Sequence, residues 1–521
     1  VTQIAMSPEH GRPKHAQSDI PFAWKPVAPV AAAVGLVLAL TITRYGYDGD
    51  EIYFVAAGHH LDWGYVDQPP LLPLLAGMLD ALAPGNLVVL RIPAILLTVA
   101  GVFLTAAIAR EFGAQARAQV IAAATYAVSP FMLYFGHSFT TTTVNVFLTA
   151  LVTWLLVRWT RLRHDVLLLW AGLATAVALL AKYLIVSFWA IAITSVLVVG
   201  PRDLLRRPRL WVGGAVALLA AAPSLIWQAD HGWPQFSMTK AIALEQQTYF
   251  YGRLGFVPMV LVNAGLLVGA VLFCYGLWRL LRAPRLRPYR FLGWTFVGLL
   301  VVFLWTNGRA SYLMGVLPVL WAVAAAEIQV RKPAMWWRWA PTWPVYALTG
   351  VLSVVGALPV LPVSTAAQTG SLALLQDGWP SLVETVSKAY HTLPVSATDK
   401  IVLVGETYQY AAVLDQLGPR HGLPPVYGGH RGYWYFGRPS DDTNAVMVVG
   451  GDGSALRKHF AQVQLLAQYN DGKPSPNPAL GAPRVWLCTG PLQPWPQLWE
   501  DFYHLNLPPE LLHRTPAERR S

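Results

Sequence analysis

The chain has 521 residues, 55% of them apolar and only 12% charged. Soluble globular proteins carry about a quarter charged residues, so this composition excludes an ordinary soluble domain and points to a membrane protein. The formal net charge is +11, but the arginines fall in short clusters between apolar runs, the topology pattern of a membrane protein and not of a nucleic-acid patch.

The tail 1–25 carries Arg12, Lys14 and Lys25 ahead of an apolar run. No small-residue cleavage site follows, so the run reads as a retained anchor helix. A bilayer core takes about 20 apolar helical residues. Spans are expected near 26–43, 87–109, 119–136, 144–159, 166–181, 184–200, 210–228, 255–279, 290–306, 312–329 and 341–361, about eleven in all. As one helix, 166–200 would be roughly 50 Å long, too long for a single crossing. Basic clusters flank it on both sides, Arg158, Arg161 and Arg163 before, Arg202, Arg206, Arg207 and Arg209 after. Two clusters on one side demand two crossings, meeting at Lys182 and Tyr183.

Orientation follows from the positive-inside rule. The tail 1–25 and the loops near 110–118, 158–165, 201–210, 279–290 and 330–340 hold twenty Lys and Arg. The loops near 44–86, 137–143, 182–183, 229–254 and 307–311 hold five. The richer side reads as cytoplasmic, in a cell (inner) membrane protein, and an odd number of spans places the C-terminal region outside. That region, 363–521, reads as a small α/β domain following a transmembrane domain over 26–362. Strands are expected at 400–406, 444–451 and 485–490, with helices after the first and from Ser454 after the second. Gly451-Asp452-Gly453 reads as an ordinary strand-to-helix turn; a phosphate-binding turn is the minor alternative. Cys274 and Cys488 fit neither a disulfide nor a zinc spacing.

The first outer loop, 44–86, gathers Asp48, Asp50, Glu51, Asp62 and Asp67 within 45–77, with no Lys or Arg there. Apolar residues after Asp50-Glu51 suggest an amphipathic helix along the membrane surface, with both acids at its favourable N-terminus. Pro69-Pro70 breaks the chain before the next apolar run. These acids act chemically, or are solvated, or cap the loop helix; spacing alone leaves the readings even. Cations sit at outer span ends: Arg91, Lys182, and Arg309 beside Tyr312. Charges near lipid face a cavity or partner, or snorkel to headgroups. Acids and cations on one face suit a general base working opposite an anionic leaving group.

Several segments resemble the protein O-mannosyltransferases and their bacterial relatives, including the lipid A aminoarabinose transferases, which are GT-C glycosyltransferases. They are Asp50-Glu51, Asp67-Gln68-Pro69-Pro70-Leu71, Arg91-Ile92-Pro93-Ala94, Leu180-Ala181-Lys182-Tyr183, 226–233, 310–313 and 422–436. The resemblance covers most of the chain, and the acidic loop with its Pro-Pro is the most specific piece. It implies a GT-C-like fold and inverting transfer from a polyprenyl-phosphate sugar on the outer face. It further implies Asp50 as general base, with Glu51 supporting it or contacting the acceptor. Lys182 and Arg91 would face the lipid phosphate, then Arg309 and Tyr312. Asp67, Gln68 and Pro69 would line the cavity; His231, between Asp230 and Gly232, reads as lining it or as simply capping its loop. Partners would be the lipid-linked sugar, membrane lipid and an acceptor glycan, lipid or protein, with no nucleic acid. Two departures stand out. Gln68 takes a place where some relatives carry Lys or His, and the segment His137–Asn145 lacks the second acid many relatives place there. A metal bridged by two acids is therefore not expected, and no cofactor is required. A transporter or flippase of lipid-linked sugars, and a membrane-anchored binding protein, are the alternatives; no internal repeat favours the former.

His59-His60 reads as a non-metal pair, because adjacent helical residues point apart. Trp227, Trp233 and Tyr249 suit an interfacial aromatic belt, or stacking on a sugar face. Trp336, Trp337 and Trp339 suit a belt.

Overall fold

In the computed structural model the described residues are 20–249, 252–394 and 401–507. The basic tail with Arg12 and Lys14 lies outside them, as does the side chain of Tyr249.

A helical bundle forms the first three quarters. α1 (Trp24–Thr41) leads through a turn into α2 (Gly49–Gly58). α2 opens on a capping box: the Asp48 side chain caps the turn, and Glu51 reaches back to the Asp48 N–H at 2.8 Å. α3 (Leu71–Leu82) follows Pro70 and packs on α2. Next come α4 (Leu87–Glu111), started by the Asn86 side chain, α5 (Ala116–Ala127) and α6 (Pro130–His137). α7 (Thr141–Leu162) starts at the Thr140 cap. α8 (Val166–Ala181) and α9 (Ile185–Val199) part at Lys182, whose extended backbone ends α8. α10 (Pro208–Asp230) lies so close to α8 that a Cβ on Gly172 would sit 2.3 Å from the Gly213 Cα. Small residues let membrane helices approach in this way. α11 (Pro234–Tyr249), α12 (Gly252–Asn263), α13 (Leu266–Arg282), α14 (Arg290–Trp305), α15 (Leu317–Val330) and α16 (Trp343–Ala357) complete the bundle.

Among the described residues six helices are long and apolar enough to cross a membrane, and eight if two bent pairs each count as one span. Every expected span falls on one of these or on the shorter apolar helices α8, α9 and α16. Three expectations need correcting. Span 255–279 is not straight: α12 and α13 meet at 102°, because Gly265 (φ 112°) and Leu266 (φ 48°) turn left-handed. Span 119–136 bends by 61° at Ser129-Pro130, where Pro130 has no N–H for the preceding turn and Ser129 caps a new helix. The loop 229–254 contains α11.

At one end of the bundle the basic loops meet. Arg158 and Arg161 share Glu111, and Arg279 and Arg285 share Glu327. Phe112 packs edge-on against Tyr289, and Gln115 donates to Gln329. Two buried glutamates thus tie four of the basic residues into the helix ends.

After α17 (Val363–Thr369) and α18 (Trp379–His391) comes a five-stranded sheet. Its strands are β1 (Ile401–Gly405), β2 (Val426–Gly428), β3 (Ala445–Val449), β4 (Phe460–Gln468) and β5 (Arg484–Pro491), in the order β2-β1-β3-β5-β4. β1 runs parallel to β2 and β3, with Leu403 opposite Val426 and Met447; β3-β5 and β5-β4 are antiparallel. Alternation splits the apolar residues between two faces. Leu403 and Met447 join the helix α19 (Tyr408–Leu417) and the core continuous with the bundle. Val404, Val446, Val448 and Trp486 pack on the segment Trp495–Phe502. The helix expected from Ser454 is a single turn, Gly453–Leu456. In the turn before it the Gly451 N–H points at the Glu406 carboxylate, 2.6 Å away, so that turn is already occupied by an anion of the protein itself.

Candidate active site

α2 is not an exposed surface helix, as the sequence suggested. Seven of its last eight residues, Glu51 through Ala57, are buried. It lies between the bundle and the sheet unit: Tyr53 meets the Tyr408 ring at 4.9 Å, and a Cβ on Gly49 would touch Gln409. Covering α2 this way fixes the direction of its first turn.

That turn divides the two expected catalytic acids. Asp50 lines a cavity of about 370 Å³. Glu51 does not line it and is 0% exposed. It accepts from Arg91 Nε (2.9 Å) and Nη2 (2.7 Å), and from the Phe139 N–H (2.7 Å). Arg91 is also 0% exposed; it donates to the Ile42 and Gly46 carbonyls, both at 2.6 Å. Two expectations therefore change. Glu51 does not line the cavity, where an acceptor contact was expected of it, and Arg91 faces Glu51 rather than the cavity. Their pairing is one of structure: a carboxylate buried in the loop base needs a cation and several N–H donors.

The cavity gathers the rest. Asp67, Gln68 and Pro69 enter from the loop, Thr141 from α7, Lys182 from the α8–α9 tip, and Arg309 and Tyr312 from the segment after α14. Asp50 Oδ1 accepts from the Tyr408 hydroxyl at 2.7 Å. Asp67 accepts from the Tyr53 hydroxyl at 3.1 Å; burial raises its pKa to about 6, against a lowering from Arg431. Lys182 contacts Thr142 Oγ1 at 3.4 Å and lies 5.2 Å from the Tyr312 ring centroid. Burial, and next the charge of Arg309, bring the Lys182 pKa down to about 8, against a raising from Asp50. Glu245 of α11 binds both Arg309 (3.0 Å) and Arg431.

His231 stacks on Trp227 at 4.0 Å, and Trp227 donates to Asp62 at 2.7 Å. These line or border a separate small cavity with Tyr435 and Phe436, so His231 is not brought to Asp50. His59 turns to Asp80 and His60 to the Phe436 ring. Trp233 lies against Phe236, Trp337 is buried beside Tyr275, and Trp336 and Trp339 are exposed. Where many relatives would carry a second acid, Asn145 is buried away from the cavity and His137 is bound to the Thr41 carbonyl. Among the described residues no three His, Cys, Asp or Glu side chains form a group able to hold a metal.

Sequence reasoning missed Tyr408, Arg431 and Glu245. Arg431 lies within 422–436, a segment singled out only by resemblance, and nothing local marks Tyr408. Arg431 is buried, its guanidinium 5.1 Å from the Tyr408 ring centroid and its N–H on the His504 carbonyl at 2.9 Å. The sheet unit therefore completes the cavity wall.

A multi-pass helical bundle whose first loop folds back under a small α/β unit is a GT-C-like architecture. Residues 67–227 match the family model described as dolichyl-phosphate-mannose-protein mannosyltransferase. The chain is similar to ArnT from Cupriavidus metallidurans bound to undecaprenyl phosphate: 17% identity, 89% of this chain and 98% of that one, TM-score 0.58. The apo form of ArnT gives 16% identity, 88% and 97% coverage and a TM-score of 0.58. The archaeal oligosaccharyltransferase AglB from Archaeoglobus fulgidus gives 12% identity, 75% and 64% coverage and a TM-score of 0.47. No curated protein matches the sequence. The chain resembles this mannosyltransferase family, as its acidic loop suggested, and it shares the ArnT fold.

Proposed function

We propose that the protein is a membrane glycosyltransferase. It moves a sugar from a polyprenyl-phosphate donor to an acceptor hydroxyl on the exocytoplasmic face, with inversion. The observation carrying this reading is one cavity that holds Asp50 together with Lys182, Arg309 and Arg431. Asp50 takes the proton as the acceptor O–H bond breaks. The acceptor oxygen bonds the anomeric carbon, and the bond from that carbon to the phosphate oxygen breaks. Its electron pair leaves on the phosphate, where the cations stabilise the charge. Attack opposite the leaving group inverts the anomeric centre. The fold shared with ArnT, solved with undecaprenyl phosphate bound, supports a lipid-phosphate donor. The unequal basic loops support placing the cavity outside the cell membrane.

Lipids and envelope glycans of cells lacking the protein test this. An accumulated polyprenyl-phosphate sugar and a missing glycan residue are expected; unchanged lipids and glycans overturn the reading. A pH dependence also follows. Lys182, its pKa lowered to about 8, is cationic below that pH and neutral above it. Affinity of the purified protein for polyprenyl phosphate is expected to fall as pH rises through 8. In Lys182→Arg the fall is expected to disappear, because the guanidinium stays charged. An identical fall in both proteins would assign it to another group.

A further inference from the structure

The Asp50 carboxylate is held by a residue of the sheet unit, not by its own bundle. Among the described residues its one side-chain partner is the Tyr408 hydroxyl, 2.7 Å from Oδ1. Its neighbours are held differently: Glu51 pairs with Arg91, and Glu245 with Arg309 and Arg431. Asp50 forms no ion pair among the described residues. A cation in contact would favour the ionised carboxylate and weaken it as a base, whereas a phenol adds no charge. Asp50 Oδ2 has no partner among the described residues, yet it is not among the sealed polar atoms, so it is open to the cavity that Asp50 lines.

Tyr408 is itself fixed. It is 5% exposed, and it opens α19, whose Thr407 cap accepts from the Tyr410 N–H at 3.2 Å. The Tyr408 N–H donates to His430 Nδ1 at 3.2 Å. Its ring lies 4.9 Å from the ring of Tyr53, which shares α2 with Asp50, and 5.1 Å from the Arg431 guanidinium. Burial, and next the charge of Asp50, hold the phenol pKa well above its ordinary value, against a lowering from Arg431. The proton therefore stays on Tyr408, and its hydroxyl donates to a carboxylate that can only accept.

We propose that Tyr408 is a positioning residue of the transfer reaction: it holds Oδ1 of Asp50 and leaves Oδ2 to take the acceptor's proton, so the base is aligned by the seating of the sheet unit on α2. The proposal rests on the glycosyltransferase reading above and adds a residue to its site.

A hydrogen bond to an ionised carboxylate favours that form, so losing the hydroxyl moves the acidic limb of the pH–rate profile to higher pH. Asp48, Asp67, Tyr134, Lys182 and Arg309 also act on Asp50 electrostatically, and Arg431 on Tyr408. All six are present in wild type and variant alike, so the difference between the two profiles reports the hydroxyl.

The test uses the full-length protein in lipid nanodiscs. The donor is the lipid extract of cells lacking the protein, the acceptor is their envelope fraction, and newly attached sugar is measured by mass spectrometry. In Tyr408→Phe, kcat is expected to fall about tenfold. KM for the extract is expected to stay within about twofold, and the acidic limb to rise by about one pH unit. Difluorotyrosine at position 408 keeps the ring and donates more strongly, so its limb is expected to move to lower pH; it carries the test if the Phe variant does not fold. A rate lowered by the same factor at every pH, with the limb in place, would make Tyr408 merely structural and overturn the proposal. So would a wild-type rate in Tyr408→Phe, or a loss confined to KM. Wild type that attaches no sugar from the extract overturns the glycosyltransferase reading itself, a result distinct from all of these.

Discussion

Asp50→Asn is expected to cut sugar transfer by about 10²- to 10⁴-fold, the range general-base catalysis commonly supplies, while the protein stays folded and binds donor as before. Asn has the same shape. Its carbonyl still accepts from the Tyr408 hydroxyl, which in the native protein lies 2.7 Å from Asp50 Oδ1. The cap of α2 is untouched, because it depends on the Asp48 side chain and on the main-chain N–H of residue 50. Only the capacity to take a proton is lost. Transfer of radiolabelled sugar at saturating donor checks the rate, and binding of polyprenyl phosphate checks the site. An abundant, folded Asn variant that transfers at the wild-type rate would remove Asp50 from the chemistry.

Much of this arrangement was legible in sequence, for physical reasons that differ by residue. The division of 166–200 at Lys182 could be read because two arginine clusters fixed both ends on one side. Lys182 could be read because charges are rare near lipid, so one at a span end stands out, whereas Asp50 was singled out from the loop's acids only by the family resemblance. What could not be read was direction. Asp50 and Glu51 are neighbours with the same chemistry, and only the roughly 100° rotation per helical residue sends one to the cavity and the other into the protein. The bends at Ser129-Pro130 and Asn263–Leu266 had local signals, a proline and a glycine, but hydropathy runs through both without a break. Tyr408 and Arg431 were hidden for another reason. They reach the cavity only because the sheet unit packs on α2, a contact between residues more than 350 positions apart in the case of Asp50 and Tyr408. No local pattern encodes such a pairing.

The same neighbour relation makes Arg91 the residue whose loss should damage the fold most. Had Arg91 held a lipid phosphate, Arg91→Leu would leave a folded protein with weak donor binding. With Arg91 and Glu51 both fully buried and 2.7 Å apart, the variant instead leaves a carboxylate without its cation and strands the Ile42 and Gly46 carbonyls. Breaking one side of a buried pair costs about 3–5 kcal/mol, a large part of the roughly 5–15 kcal/mol that holds a typical domain. Little folded protein is expected from Arg91→Leu, and a sharply lowered unfolding midpoint in whatever is recovered. Glu51→Gln should be milder, because its carbonyl oxygen can still accept from Arg91 or from the Phe139 N–H. In the double variant the bare charge is gone, so its destabilisation should fall short of the sum of the two singles by about 0.5–3 kcal/mol, the coupling seen for residues in contact. Denaturant unfolding of the four proteins in one detergent measures this. Additive losses would mean that the two side chains do not act as a pair. A well-folded Arg91→Leu protein with donor binding lost would return Arg91 to the phosphate site.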